Sequence, residues 1–477
     1  MTADPLHTLR SAFSGRLLTS PESTAPFLCD WRGKWHGRAI GVVQPDTTVD
    51  VAHVVRWCHE HRVPMVPQGG NTGLSGGSVP GPDGAALVLS LTRLNRVRAV
   101  DPVNNTMVVE AGVTLQQAQE AARDAGRLFP LSLAAEGSCT IGGNLATNAG
   151  GVQVLRYGNA RELCLGLEVI TPSGALWDGL RGLRKDNTGY DLRDLYIGSE
   201  GTLGVITAAV LKLFPRPAAQ VVAFAAVPSP TTALQLLQLA QTKLGAQLTA
   251  FELISDPCIG LVTKHVPSAR RPLGEPSPWY VLLEASDSHD EAHAQQAIES
   301  LLESAIEQAF VADAAVSTSL AQFEALWALR ENISEAQGAE GKTIKHDISL
   351  PISRIPDFVE ATSAALQREF PDVRMVVFGH LGDGNLHYNV SPGDALMGAP
   401  NAQAFEALES PINRMVHDSV AVHGGSISAE HGLGVLRRDE SERYKSAVEL
   451  GLMHSIKQAL DPFGLMNPGK LLGPRHP

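Results

Sequence analysis

A glycine-rich loop near the N-terminus is the sequence feature that most constrains the fold of this chain. It follows a short strand-like run and carries glycines at positions 69, 70, 73, 76 and 77. Such a density of glycine leaves backbone N–H groups exposed, so that they can curl into an anion-binding nest. The loop matches neither Gly-x-Gly-x-x-Gly nor the Lys-Ser/Thr of a P-loop, so neither a Rossmann site nor an NTPase is indicated. An ordinary glycine-rich surface loop is the alternative.

Two further loops repeat this chemistry. The stretch 136–151 mixes glycines with small hydroxyl and amide side chains, and the turn 198–204 leads into a strand-like run over 205–214. Residues of these types can wrap a polyphosphate without lysine or arginine. The repetition weakens the surface-loop alternative, and Pro215-Arg-Pro217 then marks a plausible domain boundary.

The composition describes a globular chain of two or more domains, because 477 residues exceed one compact core. The net charge of −12 argues against nucleic acid or an anionic membrane as the main partner, so an anionic substrate would need a local basic cluster. The five cysteines show no Cys-x-x-Cys spacing and are expected to be reduced. We find no signal-peptide pattern and no run near the roughly 20 apolar residues of a membrane span, and therefore expect a soluble, cytoplasmic protein.

The stretch 374–390 predicts a β-hairpin that carries a metal site. Asp383-Gly384 favours a two-residue type I′ turn, and counting outward from it places His380 directly opposite His387. Their Cβ atoms would then lie roughly 4.5–5.5 Å apart, close enough for the imidazoles to share one cation. Asn389 shares that face of the strand. Two polar surface histidines on an ordinary hairpin are the alternative.

A catalytic metal needs a third ligand, and Glu430 in the glycine-bounded stretch 424–434 is the best candidate. A set of two histidines and one carboxylate with open positions suits a catalytic Zn²⁺. Fe²⁺, Mn²⁺ and Co²⁺ also fit such a set.

From residue 218 onward, strand and helix patterns alternate. Strands are predicted over 221–227, 248–254 and 280–285, and helices over 231–244, 291–308 and 355–370. We expect a sheet covered on one face. Arg330 and Ser334 fall on one face at the end of a predicted helix, and Lys345 lies in a strand-like run over 344–351. Taken alone, each cation is better interpreted as a solvated surface residue.

The three glycine-rich motifs closely resemble the FAD-binding domain of the vanillyl-alcohol-oxidase-like (PCMH-type) flavoproteins, over about Arg38 to Pro217. The resemblance implies FAD with its pyrophosphate on the first two loops. Members with covalent flavin carry a histidine where this chain has Asn71, so we expect non-covalent FAD. The cofactor-binding residues that the resemblance implies are Gln68, Gly69, Gly70, Asn71, Thr72, Gly73, Gly76, Gly77, Ser138, Gly142, Gly143, Asn148, Glu200, Ile206 and Asn467.

The C-terminal half resembles the FAD-linked oxidase domain of the D-2-hydroxy-acid dehydrogenases, and most closely the D-2-hydroxyglutarate dehydrogenases. The resemblance implies that His380, His387 and Glu430 bind the metal and that His431 acts at the substrate hydroxyl. It assigns the substrate carboxylates to four residues: Arg330, Ser334, Lys345 and Asn389. Ser334 stands where the animal enzymes have threonine, which keeps the hydroxyl and changes the fit of the pocket.

The predicted fold is therefore α+β, with a two-part PCMH-type FAD-binding domain and a C-terminal α+β FAD-linked oxidase domain. The predicted parts are an N-terminal segment (1–37), the FAD-binding domain (38–217), a substrate- and metal-binding domain (218–460) and a C-terminal segment that returns to the flavin (461–477).

The expected reaction is oxidation of a D-2-hydroxy acid, with D-2-hydroxyglutarate to 2-oxoglutarate as the first candidate. The metal would polarise the 2-hydroxyl, His431 would take its proton and the C2 hydride would pass to FAD. Arg330 and Lys345 would bind a distal carboxylate.

Several alternatives stay open at this point. The chain could be a D-lactate or glycolate dehydrogenase, or the FAD subunit of a larger oxidase complex. A flavin-free metallohydrolase would leave the glycine-rich loops unexplained. The resemblance suggests an electron-transfer flavoprotein or a quinone as electron acceptor, and a homodimer is one candidate for the oligomeric state.

Overall fold

The computed structural model describes residues 6–396, 398 and 402–473. Contacts between Cα atoms divide them into two compact units. The first unit contains residues 6–151, 157–216 and 430–473, and the second contains 152–156 and the described part of 217–429. The stretch from 430 onward thus groups with the first unit, whereas the sequence-based division separates only 461–477 from the substrate domain.

The strands of the described residues follow one another along the chain. They are β1 (Arg16–Leu18), β2 (Gly41–Gln44), β3 (Met65–Gln68), β4 (Leu87–Ser90), β5 (Val97–Asp101), β6 (Thr106–Glu110), β7 (Arg127–Leu128), β8 (Cys164–Ile170), β9 (Leu176–Gly179), β10 (Val205–Lys212), β11 (Phe214–Pro215), β12 (Ala219–Val227), β13 (Leu248–Ser255), β14 (Trp279–Asp287), β15 (Asp313–Val316), β16 (Asp347–Ser349), β17 (Val373–His380) and β18 (Asn385–Pro392).

The α-helices are numbered in the same way. They are α1 (His7–Ala12), α2 (Pro21–Thr24), α3 (Thr48–His61), α4 (Leu115–Asp124), α5 (Ile141–Ala146), α6 (Val154–Tyr157), α7 (Arg193–Tyr196), α8 (Pro230–Leu244), α9 (Asp256–His265), α10 (Glu291–Glu307), α11 (Leu320–Glu331), α12 (Ile333–Ala339), α13 (Ile355–Glu369), α14 (Ala402–Ala407), α15 (Glu409–Val422), α16 (Arg438–Tyr444) and α17 (Ala447–Leu460). None of the helices in the described ranges is both long and apolar enough to cross a bilayer.

The first unit contains a four-stranded sheet in the order β1-β2-β4-β3 and a five-stranded sheet in the order β5-β6-β10-β8-β9. Strands β2, β4 and β3 are parallel, and α3 provides the crossover between β2 and β3. The helix begins where Thr47 Oγ1 accepts a hydrogen bond from the N–H of Asp50 at 3.1 Å. Its apolar face, with Val51 and Val55 among its members, is buried.

The second unit is built on a seven-stranded antiparallel sheet in the order β15-β12-β14-β13-β17-β18-β16. Every residue from Val221 to Val227 of β12 is buried. Because successive side chains of a strand point to opposite faces, both faces of the sheet are covered there. Helices α10 and α11 both pack on β12. The prediction of a sheet covered on one face is therefore wrong, and the cause is the continuous apolar run of β12, which is typical of a strand buried on both sides.

The predicted hairpin is present as β17 and β18, but its register differs from the prediction. His387 pairs with Phe378, and His380 pairs with Glu252 of β13 instead of with His387. The turn comprises the four residues between β17 and β18. Within it, the carbonyl of His380 accepts hydrogen bonds from the N–H groups of both Asp383 and Gly384. The turn is therefore two residues longer than predicted. The predicted pairing of the two histidines is wrong by two positions of register.

Candidate functional site

A cavity in the first unit is lined by the three glycine-rich loops. Eleven of the residues predicted to hold FAD line it: Gln68, Gly69, Gly70, Asn71, Thr72, Gly73, Gly77, Gly142, Gly143, Glu200 and Ile206. The other lining residues include Thr140 and His431. No lysine or arginine of the described residues lines the cavity, so its polar side chains are hydroxyls and amides together with the Glu200 carboxylate and the His431 imidazole.

Four predicted cofactor residues lie outside the cavity lining: Gly76, Ser138, Asn148 and Asn467. Gly76 packs against the ring of Trp35 with a φ of +71°. Asn148 has a φ of 51°, and its Oδ1 accepts a hydrogen bond from the N–H of Arg161 at 3.0 Å. These residues shape the loops, which is a structural contribution to the cavity.

Glycine is required where the first loop meets the second. A Cβ atom on Gly70 would lie 1.9 Å from the carbonyl oxygen of Ser138, and one on Gly69 would lie 2.4 Å from Thr140 Oγ1. Real Cβ atoms do not approach a backbone oxygen so closely, so a side chain at position 70 would push the loops apart. The predicted residue Ser138 thus contributes through its backbone.

The donor groups of the cavity suit a polar ligand. Thr140 is buried, and its Oγ1 has no hydrogen-bond partner among the described residues. A buried hydroxyl without a partner is costly, so a ligand that hydrogen-bonds to it would recover that free energy. This unsatisfied hydroxyl fits a nucleotide-type cofactor in the cavity.

Glu200 ties the third loop to the segment that carries His431. Its Oε1 accepts the N–H of Leu433 and its Oε2 accepts the N–H of Gly434, both at 2.8 Å. Burial raises the pKa of Glu200 above its ordinary value. Ser75 Oγ of the first loop donates to the carbonyl of His431 at 3.1 Å. These contacts hold His431 at the wall of the cavity.

Asn467 bridges two of the loops from the C-terminal segment. Its Nδ2 donates to the carbonyls of Gly77 at 2.9 Å and Glu200 at 2.7 Å. Its backbone φ is 42°, a left-handed conformation that asparagine tolerates. Asn467 therefore positions the first and third loops relative to each other.

In the second unit, His380 and His387 lie close together despite the shifted register. A shift of two positions keeps both residues on one face of the hairpin. Their ring centroids are 6.0 Å apart, with the rings inclined by 74°. Each offers a ring nitrogen within 4.8 Å of the other, a separation at which one metal ion can bind both.

A buried carboxylate that the sequence motifs did not indicate stands beside this pair. Glu252 is fully buried, and its Oε1 lies 2.5 Å from His380 Nδ1. Its Oε2 accepts a hydrogen bond from Arg330 Nε at 2.6 Å. Burial alone would raise the pKa of Glu252, but His380 and Arg330 outweigh burial and lower the pKa to about 2. The signal available in the sequence was a single charged residue inside a mostly apolar strand.

Glu430 follows a residue that is bound to the hairpin's neighbouring strand. The N–H of Ala429 donates to the carbonyl of Asp347 at 3.2 Å, and Asp347 pairs with His387. Ala429, the residue before Glu430 in the sequence, is therefore held one strand away from His387.

The predicted carboxylate-binding residues have different environments. Arg330 is buried and lies over the ring of Phe378, 4.7 Å from its centroid. Ser334 and Lys345 are exposed. The single helix face predicted for Arg330 and Ser334 is wrong, because α11 ends at Glu331 and α12 begins at Ile333. The sequence predicted that Lys345 lies inside a strand. It instead precedes β16.

Asn389 is buried next to a second amide. Its Nδ2 donates to Gln337 Oε1 at 2.9 Å, and its Oδ1 accepts the N–H of His346 at 3.2 Å. Gln337 Nε2 has no hydrogen-bond partner among the described residues, although the side chain is buried. The Asn389–Gln337 pair can therefore offer a donor to a ligand oxygen, and Gln337 is a residue that no sequence motif had indicated.

A second group of metal-ligand types lies at the end of β14. His289 and His293 each place Nδ1 against the buried carboxylate of Asp287, at 3.2 and 2.6 Å. Both histidines are exposed. Because their Nδ1 atoms already contact this carboxylate, the group is explained as a surface hydrogen-bond cluster.

Comparison with known proteins places these features in a family. A family model of an FAD binding domain matches residues 39–179, and a model of the C-terminal domain of FAD linked oxidases matches residues 216–471. The p-cresol methylhydroxylase structure superposes with a TM-score of 0.75, at 15% identity, over 99% of this chain and 97% of that one. The two family models and the shared fold together confirm the predicted α+β fold with an FAD-binding and an FAD-linked oxidase domain.

Three curated relatives are similar over nearly the whole chain. D-2-hydroxyglutarate dehydrogenase of Xanthomonas citri pv. viticola is 42% identical over 458 residues, which is 96% of this chain and 94% of the relative. The mitochondrial D-2-hydroxyglutarate dehydrogenase of Bos taurus is 40% identical over 478 residues, 100% of this chain and 84% of the relative. A putative mitochondrial D-lactate dehydrogenase of Schizosaccharomyces pombe is 38% identical over 461 residues, 95% and 85% of the two chains. The chain therefore belongs to the FAD-linked oxidase family and is an FAD-dependent oxidoreductase similar to the D-2-hydroxyglutarate dehydrogenases.

Proposed function

We propose that this chain is a flavin- and metal-dependent dehydrogenase of D-2-hydroxy acids, with D-2-hydroxyglutarate as its preferred substrate. The observation that carries the proposal is the buried Arg330, held by Glu252 beside the histidine pair. A buried cation next to a metal-ligand pair suits an acid with a second carboxylate. The D-2-hydroxyglutarate dehydrogenases that are 40–42% identical to the chain support the same substrate.

His380, His387 and Glu430 would hold the divalent metal, with Zn²⁺ as the first candidate. The contact of His380 Nδ1 with Glu252 fits this role, because a carboxylate fixes the tautomer of a metal-binding histidine. When bound, the metal supplies Lewis-acid polarisation of the substrate's hydroxyl and carboxylate oxygens.

FAD would bind without a covalent bond in the cavity of the glycine-rich loops. Asn71 supports this proposal, since its amide donates to the carbonyl of Cys29 at 2.8 Å and accepts from Ser78 Oγ at 2.8 Å. An amide in these contacts holds the loop and is not a nucleophile. When bound, FAD supplies the hydride acceptor.

His431 would be the general base for the substrate's 2-hydroxyl. It lines the cavity of the first unit, where Ser75 holds its backbone. A neutral imidazole can accept the hydroxyl proton while the C2 hydride leaves. Arg330 would bind the distal carboxylate through its Nη atoms, with Ser334, Lys345 and Asn389 as further carboxylate-binding groups.

D-lactate is the second candidate substrate, because one relative carries the name of a putative D-lactate dehydrogenase. D-lactate has no distal carboxylate and would leave the Nη atoms of Arg330 without that hydrogen-bond partner, so we expect D-lactate to bind more weakly. For the electron acceptor we propose an electron-transfer flavoprotein or a quinone.

Replacing Arg330 tests the proposed substrate. Arg330→Met keeps the length of the side chain and removes the charge, so we expect KM for D-2-hydroxyglutarate to rise about 10- to 100-fold, the effect of roughly 1.4–3 kcal/mol of lost binding. KM for D-lactate should change by less than about twofold. Steady-state kinetics with an artificial dye acceptor measures both. An equal rise in both KM values would show that Arg330 does not bind the distal carboxylate.

A further inference from the structure

We propose that Glu252 is a positioning residue that fixes both a metal-binding histidine and the arginine that selects the substrate. The inference rests on the proposed function, because it concerns the same His380 and Arg330. It adds a residue in β13 that no motif of the chain had indicated.

The placement of Glu252 follows from the register of the sheet. Glu252 of β13 lies directly opposite His380 of β17, and its side chain is completely buried. Its two oxygens contact different partners: Oε1 is 2.5 Å from His380 Nδ1, and Oε2 is 2.6 Å from Arg330 Nε. Both distances are short, as expected for charge-assisted hydrogen bonds.

The contact with His380 decides which ring nitrogen can bind a metal. A carboxylate only accepts hydrogen bonds, so Nδ1 of His380 must carry a proton. The lone pair of the neutral imidazole is then on Nε2. Outer partners of this kind orient the ring, and their removal typically costs about 10- to 100-fold in metal affinity.

The contact with Arg330 decides how the guanidinium is oriented. Glu252 takes the Nε donor, so the edge formed by the two Nη atoms is left to face another carboxylate in bidentate fashion. The ring of Phe378 supports one face of the group at 4.7 Å. A neutral residue at position 252 would leave Arg330 buried without this counter-charge.

A purely structural ion pair is the competing explanation, and it makes different predictions. Loss of a structural pair lowers stability and leaves metal affinity and substrate preference unchanged. Loss of a positioning residue weakens metal binding and raises KM for the dicarboxylate more than KM for D-lactate.

The test compares Glu252→Gln with a matched control, Glu284→Gln. Glu284 is a buried glutamate of the adjacent strand β14, and its carboxylate accepts hydrogen bonds from Thr249, Gln220 and Trp327. Zn²⁺ affinity is measured on the flavin-loaded, full-length protein after chelator treatment, by competition with a chromophoric chelator. We expect Glu252→Gln to weaken Zn²⁺ binding about 10- to 100-fold. Glu284→Gln should bind Zn²⁺ within about twofold of the unmodified chain.

A double variant guards against misfolding of the single one. Glu252→Gln with Arg330→Met removes the stranded cation as well as the carboxylate, so this protein should fold even if Glu252→Gln does not. His380 still lacks its carboxylate there, and we expect the same weakened Zn²⁺ binding. The Arg330→Met single variant keeps the Glu252–His380 contact and should retain Zn²⁺ affinity.

Two outcomes would contradict the inference in different ways. If both Glu252 variants bind Zn²⁺ within about twofold of the unmodified chain, the proposed role of Glu252 is overturned. The proposed function would not be affected by that result. Absence of Zn²⁺ binding by the unmodified chain, or no flavin reduction by D-2-hydroxyglutarate, would overturn the proposed function itself and this inference with it.

Discussion

At Gly70 the first glycine-rich loop passes directly over the backbone of the second. The missing side chain lets the first loop approach the backbone of the second to a distance that no Cβ could tolerate. The same close approach places Gly69 against Thr140, whose hydroxyl is still unsatisfied among the described residues. FAD retention should therefore depend on glycine at this position.

Gly70→Ala tests that dependence. We expect FAD affinity to fall roughly 10- to 100-fold, because overpacking of this kind costs about 1–3 kcal/mol. The measurement is the FAD content of the purified protein and its dissociation constant for added FAD. Gly81→Ala is the matched control, since its new Cβ would meet only the side chain of Asp83, at 3.5 Å. Full FAD retention by Gly70→Ala would show that the loops can separate without loss of the site.

The glycine motifs and Glu252 differ in how well the sequence predicted them. Eleven of the fifteen predicted cofactor residues line the cavity, because glycine spacing reports local backbone geometry directly. Glu252 escaped prediction, because the partners that make a buried carboxylate tolerable lie 78 and 128 positions away. Its position as the one charged residue of β13 was the local signal.

At the scale of elements, the β17–β18 hairpin shows why register is harder to predict than strand type. The apolar patterns located both strands, and Asp383-Gly384 located the turn. The turn also makes a tertiary contact that no local pattern reports, since the N–H of Leu350 donates to the carbonyl of Gly384 at 3.0 Å. The two-position error preserved the face of each side chain, so the predicted pairing of His380 and His387 in space survived it.

Glu340 connects three elements of the second unit, and its ion pairs predict a pH-dependent contribution to stability. Directly after α12, its carboxylate contacts Lys264 at 2.6 Å and His265 at 3.2 Å from α9, and Arg374 at 2.5 Å from β17. Burial would raise the pKa of Glu340, but these partners lower the pKa to about 2. A carboxyl with a lowered pKa stabilises the fold above its unfolded pKa, near 4.5, and loses this contribution as the pH falls toward 2.

Glu340→Gln should lower the thermal midpoint at pH 7, by roughly 2–4 °C for each kcal/mol lost. Lys264 is 61% exposed, so its ion pair is screened and most of the loss should come from Arg374. The difference between variant and unmodified chain should shrink as the pH falls from about 4.5 toward 2. Glu360→Gln, at an exposed position of α13, is the control. A pH-independent difference would show that the charge of Glu340 is not the cause.

At the scale of the whole molecule, the chain returns to its first unit after completing the second. Residues 430–473 group with the first unit, and Asn467 hydrogen-bonds to Glu200 across 267 positions of sequence. Periodicity could not assign this segment, because a local pattern carries no information about a partner so distant in sequence. The order of the glycine motifs did identify the FAD-binding domain, since each motif is local and the three occur along the chain in the family's order.

Anaerobic flavin reduction shows whether one protein combines a flavin and a metal to oxidise a D-dicarboxylate. The absorbance of the oxidised flavin is followed after adding D-2-hydroxyglutarate, its L enantiomer or D-lactate, before and after chelation. We predict rapid bleaching by D-2-hydroxyglutarate, little by the other two acids, and none by D-2-hydroxyglutarate after chelation until Zn²⁺ is returned. Equal bleaching by both enantiomers, or bleaching that chelation leaves unchanged, would contradict the account.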